Sequence, residues 1–390
     1  MAFKMNVLYL IPHLGKGGAE ELIVELSIEI SEKESFRVGV LAFHDVYEAA
    51  EHIDRLHEKP VSIEYIFKRK ILYLSSLRRI RNYFSYLLMP FYSLIIWRKI
   101  TKGKIDIVHV NLTLPGYSLF FLRFWRFFSK QKPIFLETFH TNTHLLKPIS
   151  KLINIWSWRN CDHLVTEIFE EDIKVIRRYA PKVPISFIPF GYASGILEVP
   201  RTSFSEKDVI NICTVSRVRF FEKKIDVMLD VIRGLVSYGY HINFSLCGDG
   251  EDFNLVKDIV VKESLEDFVT LCGYVNNARD IYSENDIALV ATVAGESGVS
   301  GMMALDAGCC LIGIESTDQE IELSELNEDD NQLYFSNDVV NLVEFCSNLI
   351  ENPTFQTLYR SVCLKRKESN IENFKLFGTR YLGLYHELKE

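Results

Sequence analysis

The sequence predicts an α/β protein made of two Rossmann-like, doubly wound parallel-sheet domains, and three observations carry that prediction. Short apolar runs alternate with helix-like segments along the whole chain, the pattern of parallel strands covered by helices on both faces. A length of 390 residues exceeds one ordinary core and suits two domains of roughly 150 to 200 residues each. The content of 48% hydrophobic and 25% charged residues is that of a soluble globular chain. No low-complexity tract or fixed-period repeat interrupts it.

The elements follow in order. MNVLYLI at 5–11 makes a first strand, PHLGKGG a loop, and AEELIVELSIEI a helix. Gly15, Gly17 and Gly18 allow a ligand close to that helix N-terminus, where unpaired N–H groups favour anions, although a plain tight turn asks for the same residues. The P-loop pattern is absent. RVGVLAF is a second strand, IDIVHVNL a buried strand reaching Asn111, and PIFLETFHTNTH a strand ending at His140. HLVTEI and ISFIPFG complete the first domain, the latter closing at Gly191. The polar, irregular stretch 192–208 reads as a linker. The second domain continues through VINICTVSRV, HINFSLCGDG, FVTLCGYV, DIALVAT and CCLIGI. Expected bounds are 1–197 and 205–373, with a last helix near 374–390 returning to the first domain.

Several function classes are disfavoured. A formal net charge of −8 argues against a general nucleic-acid binder, which carries a broad basic field. The eight cysteines show no CxxC spacing and fall mostly in apolar runs, which suits buried thiols in a reducing compartment. The N-terminal apolar run leads straight into glycines and a helix, so it reads as a strand rather than a signal peptide. The segment 83–97 is short for a bilayer span and contains Pro90. A cytoplasmic protein is expected. HExxH and a nucleophile elbow are both missing. The acidic run Glu328 to Asp330 sits in a polar loop and reads as a surface turn, so no metal site is expected.

Charge is unevenly placed. Residues 67–104 hold ten Lys or Arg and no Asp or Glu, interleaved with aromatics, and 119–132 form a second such patch. Basic, aromatic-rich helices suit an anionic membrane surface, with Arg78, Arg79 and Arg81 as candidate contacts. Ordinary helices with solvated cations are the alternative.

The stretch from Asp286 to Ile312 reads as strand, turn-rich loop, helix and strand, with Glu296 where the first strand ends. In doubly wound sheets, ligands bind just outside the carboxyl ends of strands. Loops at 216–224 and 248–250 occupy the same kind of position, the first with a cluster of Arg and Lys, the second as a glycine turn before a helix. A departing diphosphate needs fixed cations or a metal, which such a cluster supplies; a solvated turn is the plainer reading.

Six elements stand in one order: GGAE at Gly17 to Glu20, FHT at Phe139 to Thr141, FIPFG at Phe187 to Gly191, SR with KKID between Ser216 and Asp226, LCGDGED at Leu246 to Asp252, and GESGVSGMMALDAG from Gly295. As an ordered set over almost the whole chain, they resemble a GT-B glycosyltransferase. The group is retaining family four, the group 1 enzymes of capsule, lipopolysaccharide and mannosyl transfer. The resemblance implies two Rossmann-like domains facing a cleft that closes over substrates, with a nucleotide-sugar donor on the second and a glycan or polyprenyl-linked acceptor on the first, near the Gly17 turn, Asn111 and His140. It makes His140, Glu296, Arg217 and Lys223 the residues of the chemical step, with no cofactor and no metal. Gly17, Gly18, Gly248, Asp249 and Gly250 would lie against the substrates, and Ser297, Gly298 and Val299 would offer backbone N–H groups. Arg219 and Lys224 remain rivals for the clamp, because the loop is one residue longer than usual. His140 read without the motifs is a core histidine, and His144 a structural or acceptor-side one.

The resemblance fails at one place. Counting back from Gly308 puts the family's two acids at Gly295 and Met303, while counting forward from Glu296 puts the second at Ala304. Neither gives a second, ribose-gripping carboxylate. Asp306, three residues beyond Met303, is a partial substitute or a solvated helix end. The gap keeps two other readings open: a non-catalytic GT-B-like binding subunit, and a sugar-nucleotide epimerase.

Overall fold

The computed structural model describes residues 4–15, 17–46, 50–71, 84–141, 143, 146–168, 170, 172–193, 203–204, 208–275, 277–293, 296–316 and 332–390, with only the backbone at 69–71. Arg78, Arg79, Arg81, His144, Gly295, the run Glu328 to Asp330 and much of the expected linker lie outside these residues. Backbone contacts divide the chain into one unit of 1–190 with 375–390 and another of 191–374.

The first unit runs β1 (Met5–Ile11), α1 (Gly18–Ser31), β2 (Phe36–Val46), α2 (Ala50–His57), β3 (Val61–Ile71), α3 (Met89–Gly103), β4 (Ile107–Asn111), α4 (Thr113–Phe128), β5 (Ile134–Phe139), α5 (Pro148–Trp158), β6 (His163–Thr166), α6 (Asp172–Tyr179) and β7 (Ile185–Phe187). Its sheet has the order β3-β2-β1-β4-β5-β6-β7, and its pairs are parallel. Because helices cover both faces, β4 and β6 are buried at every residue, as parallel strands with two covered faces must be. Strand order reverses between β1 and β4, so the crevice of this unit lies above those two strands. Register places Tyr9 beside His109 and Asn111 beside Thr138.

The second unit runs β8 (Ile210–Val215), α7 (Ile225–Ser237), β9 (Ile242–Cys247), α8 (Phe253–Lys262), β10 (Val269–Gly273), α9 (Ala278–Glu284), β11 (Ile287–Thr292), α10 (Gly298–Asp306), β12 (Cys310–Glu315), β13 (Phe335–Ser336), α11 (Val339–Glu351) and α12 (Pro353–Lys389). Its parallel sheet has the order β10-β9-β8-β11-β12-β13, and reverses between β8 and β11. Asp338 caps α11 by accepting from the amides of Val340 and Asn341 at 2.7 and 3.1 Å, which satisfies donors that a helix start leaves unpaired. Gly191 is required by packing, since a Cβ there would stand 2.0 Å from the Asn370 carbonyl oxygen of α12. The division between units falls within α12, whose residues from Lys375 pack in the first. All eight cysteines are free thiols, and seven are buried.

One buried acid sets a pH dependence. Glu137 on β5 is 2% exposed, and burial pushes its carboxyl up to about 8 against a hydrogen bond from Ser157. An unfolded glutamate titrates near ~4.3. Its contribution to stability is therefore complete below that value and is lost as pH rises toward 8, at about 1.4 kcal/mol per unit. Glu137→Gln is expected to raise Tm at pH 8 and to change it little at pH 4.5. Equal shifts at both values would remove the titration from this residue.

Candidate active site

In the second unit, the loops after β9, β8 and β11 stand at the carboxyl ends of three neighbouring strands. They flank the point where strand order reverses, where open α/β sheets bind ligands.

The loop after β8 is folded against the loop after β9 by backbone. The amide of Ser216 donates to Cys247 O at 3.0 Å, and that of Val218 to Asp249 O at 3.0 Å. A Cβ on Gly248 would lie 1.8 Å from Ser216 O, and one on Gly250 would lie 2.1 Å from Val218 O. These glycines, expected to approach the nucleotide, are demanded by this loop-to-loop contact, and Gly248 also has φ +140. Asp249 turns its carboxylate onto the Gly250 amide at 2.7 Å. Asp252 accepts from the Phe220 amide at 2.9 Å, fixing the start of the 220–224 turn.

The cations of this turn have distinct surroundings. Arg219 is engaged by carboxylates, with Glu222 beside it and Glu251 at 3.5 Å. Lys224 takes a left-handed backbone, φ 52, at the N-cap of α7. Lys223 is half-buried and forms no ion pair with a described residue. Burial pushes its ammonium below the usual range; Glu222 pulls it back, and Arg217 and Arg219 push it down again. A lysine held in this way favours an anion that restores its charge. Of the rivals for the clamp, Lys223 is the one that burial and the neighbouring guanidiniums hold below its usual range.

The loop after β11 closes on itself through two backbone hydrogen bonds between Val293 and Glu296. Ser300 Oγ donates to Val215 O at 2.7 Å and pairs with the Tyr282 hydroxyl at 2.6 Å, tying the start of α10 to the end of β8. Ser297 is the N-cap but makes no side-chain cap, so the first amides of α10, those of Gly298 and Val299 among them, are left for other acceptors. Gly298 has φ +63, and nothing lies within 4 Å of where its Cβ would be.

The alternatives for the second acid are separated. Ala304 is fully buried in the core, where no carboxylate would fit. Met303 is half-buried and packs against that core. The Asp306 side chain is 4% exposed, lies 3.4 Å from Arg279, and is thus a buried, paired acid rather than a solvated one. The chain contributes instead a residue that the motifs did not point to. Arg366 of α12 donates to Glu296 Oε2 at 2.6 Å, and its neighbour Lys367 donates to Asp306 O at 2.9 Å. No local signal marks either residue, because they lie 70 and 61 positions from their partners.

In the first unit, Gly17 caps α1 in extended conformation. A Cβ there would stand 2.3 Å from Glu20 Oε2, so the N-terminus expected to welcome anions already holds the chain's own carboxylate. Gly18 is exposed as the first residue of α1. The preceding loop is braced by His52, whose ring contacts Leu14 O at 3.0 Å and Glu21 at 2.8 Å. Burial pushes the Glu21 carboxyl up, yet hydrogen bonds from His52 and Arg55 hold it at about 2. His140 lies just past β5, with Nε2 2.9 Å from Asn111 Oδ1 and Nδ1 2.7 Å from Glu167 Oε2. Asn111 and His140 therefore meet at the ends of adjacent strands. Glu167, at the end of β6, was not singled out from sequence; an acid closing a buried strand was its one signal.

Residues 210–352 match the family model described as Glycosyl transferases group 1. These residues form a group 1 glycosyltransferase domain. The match holds β8 to β13 and the loops with Arg217, Lys223, Gly248 and Glu296. Over 212 residues the chain is 22% identical to the UDP-N-acetylglucosamine–peptide N-acetylglucosaminyltransferase GtfA subunit of Streptococcus pneumoniae, covering 54% of this chain and 39% of that protein. The chain thus spans well under half the length of this curated relative. Among solved structures, Anabaena HepE in complex with UDP and glucose is similar, with TM-score 0.70, 13% identity, and coverage of 98% and 100% of the two chains. Sucrose-phosphate synthase from Thermosynechococcus elongatus gives TM-score 0.71 at 13% identity over 99% of both. The group 1 domain therefore belongs to a chain with the GT-B fold.

Proposed function

We propose that the protein is a glycosyltransferase that moves a sugar from a nucleotide-sugar donor to a glycan or polyprenyl-linked acceptor, with retention of configuration, in surface-polysaccharide synthesis. The observation that carries this reading is Lys223, a half-buried lysine with depressed basicity beside Arg217 at the β8/β11 reversal of a group 1 domain. Lys223 and Arg217 meet the charge that develops on the leaving diphosphate, with the first amides of α10 beside them. Glu296 hydrogen-bonds the sugar. Cations replace a metal in this scheme.

The test is a thermal-shift screen of nucleotide sugars, UDP-sugars first because of the ligands and donor in the names of HepE and GtfA. A donor at about 100 times its Kd adds about 2.7 kcal/mol to stability. Turnover of the best binder follows, with and without chelator. Shift without turnover for any donor or acceptor would favour the non-catalytic binding subunit, a reading that Met303 at the ribose position supports. No shift with any donor would sink both.

The acceptor side of the reading rests on an apolar face of the first unit. Phe84, Leu87, Leu88 and Phe91 before and on α3, Phe120, Phe124, Phe127 and Phe128 on α4, and Ile149, Leu152 and Trp156 on α5 are all exposed. Each set has helical spacing, and rings link the helices: Tyr86 to Tyr117 at 5.5 Å, and Phe120 to Trp156 at 5.2 Å. Arg98, Lys102 and Lys104 on and just after α3, and Arg123 and Lys130 on and just after α4, are exposed as well, and a basic, aromatic-rich surface suits anionic headgroups. Among the described residues no helix is long and apolar enough to cross a membrane, so the contact is peripheral. Phe127 and Phe128 are 79% and 70% exposed. Changing both to serine is expected to weaken binding to anionic vesicles by about tenfold or more, at about 1.5–3 kcal/mol per fully inserted ring. Unchanged co-sedimentation would separate this face from the membrane.

A further inference from the structure

The peptide that joins Arg219 to Phe220 is held on both sides. Its N–H donates to Asp252 Oδ2 at 2.9 Å, and its C=O accepts from the Lys223 amide at 2.8 Å. A trans peptide is planar, with N–H and C=O pointing in opposite directions, so a carboxylate that fixes the one fixes the other. Asp252 thus reaches the Lys223 backbone through one rigid plate and two hydrogen bonds. Its charge strengthens the first bond, and bonds in series polarise one another. Beyond the plate the turn has little slack. Phe220 O accepts from the Ile225 amide at 2.9 Å, the Phe220 side chain packs against the core of the second unit, and Lys224 closes the turn in left-handed backbone.

Asp252 leaves a local role to do this. It stands at the N-cap of α8, where an aspartate ordinarily accepts from an amide of the first turn, yet its side chain makes no such bond. It turns instead to a residue 32 positions back in the chain. The residues just before it hold the same loop. The Val218 amide donates to Asp249 O at 3.0 Å, the Asp252 amide donates to Val218 O at 3.4 Å, and the Glu251 carboxylate lies 3.5 Å from Arg219. Glu251 and Asp252 of the LCGDGED motif therefore act on the cation turn.

We propose that Asp252 is a positioning residue for Lys223: its carboxylate sets the Arg219–Phe220 peptide, and that peptide sets the backbone from which the clamp ammonium projects. The inference rests on the glycosyltransferase reading above. A cation that meets developing charge is effective only where that charge appears, and a displacement of about 1 Å costs up to about a hundredfold in rate.

The test uses the full chain with Asp252→Ala, Asp252→Asn and Asp252→Glu. The alanine leaves the peptide free to turn, so kcat with the best nucleotide-sugar donor is expected to fall about tenfold with donor KM little changed. The asparagine keeps an oxygen for the Phe220 amide and should stay within about threefold of the parent. The glutamate keeps the charge but places it one carbon further out; it should lose rate as the alanine does, and it carries the test if the alanine fails to fold. Asp252→Ala with Lys223→Ala should be no slower than Lys223→Ala alone, because both changes remove one function. Calorimetry with the tightest binder among UDP, GDP and ADP reads the same link without turnover: the proton taken up by Lys223 on binding should shrink in the alanine variant and persist in the asparagine variant. A lower Tm with parental kcat and parental proton uptake in Asp252→Ala would make the residue structural and overturn the proposal, as would losses that add to those of Lys223→Ala. Diphosphate binding with proton uptake but no transfer by the parent would overturn the catalytic reading while calorimetry still judges Asp252. A parent that binds no nucleoside diphosphate would overturn both.

Discussion

Lys223→Ala is expected to lower turnover with the nucleotide-sugar donor by about ten- to 150-fold while leaving Tm nearly unchanged. The size follows from one charge-assisted hydrogen bond to developing charge, about 1.5–3 kcal/mol. Stability is spared because the ammonium makes no ion pair within the described fold. A second signature separates this role from a structural one. In the free protein, burial holds the Lys223 ammonium below its ordinary range, and a bound diphosphate raises it again, so binding takes up a proton. Affinity for a nucleoside diphosphate should be greatest below the free-state value and fall as pH rises through it toward the bound-state value. Calorimetry in buffers of different ionisation enthalpy reads that proton uptake, and the alanine variant should lose it. Parental turnover and parental proton uptake in Lys223→Ala would move the clamp to another cation, with Arg219 made less eligible by its carboxylate partners.

The alternation of apolar strands with helices was legible because both faces of a parallel sheet are covered, so each strand writes itself as a continuous apolar run. The candidate loops of each unit were legible for a related reason: their positions follow from strand ends, with Asn111 and His140 in the first unit and Glu296 in the second each standing where a buried run stops. Partnerships across long separations were not legible. Glu167 and Arg366 lie in ordinary helix- or strand-end contexts, and only packing brings them to His140 and Glu296. The glycines show a subtler limit. Gly17, Gly248 and Gly250 were read as room for a ligand, but each makes room for the chain itself, for Glu20, Ser216 and Val218. Composition reports that space is needed and is silent on what fills it. Position 304 shows the same limit in reverse, since counting along the chain allowed a carboxylate where the core allows none.

Glu296→Ala is expected to cost a similar ten- to 150-fold in turnover, and its partner decides what the loss means. Glu296 and Arg366 are each about a quarter exposed, so their ion pair contributes only about 0–1 kcal/mol to folding, and neither variant should unfold the domain. The salt bridge instead fixes where the carboxylate points. With one oxygen held by the guanidinium, the other is free to accept from a sugar hydroxyl, which partly answers the missing acid at Met303: the donor loop is steadied from α12 rather than from within α10. Arg366→Ala should therefore lower turnover by releasing Glu296, and Glu296→Ala with Arg366→Ala should be no worse than Glu296→Ala alone, since the arginine then has nothing to position. Additive losses would make Arg366 a donor-contacting group in its own right, with its guanidinium reaching the sugar or diphosphate directly. Parental kinetics in Glu296→Ala would take the sugar away from this carboxylate and leave the cations of the β8 turn and the first amides of α10 as the donor contacts.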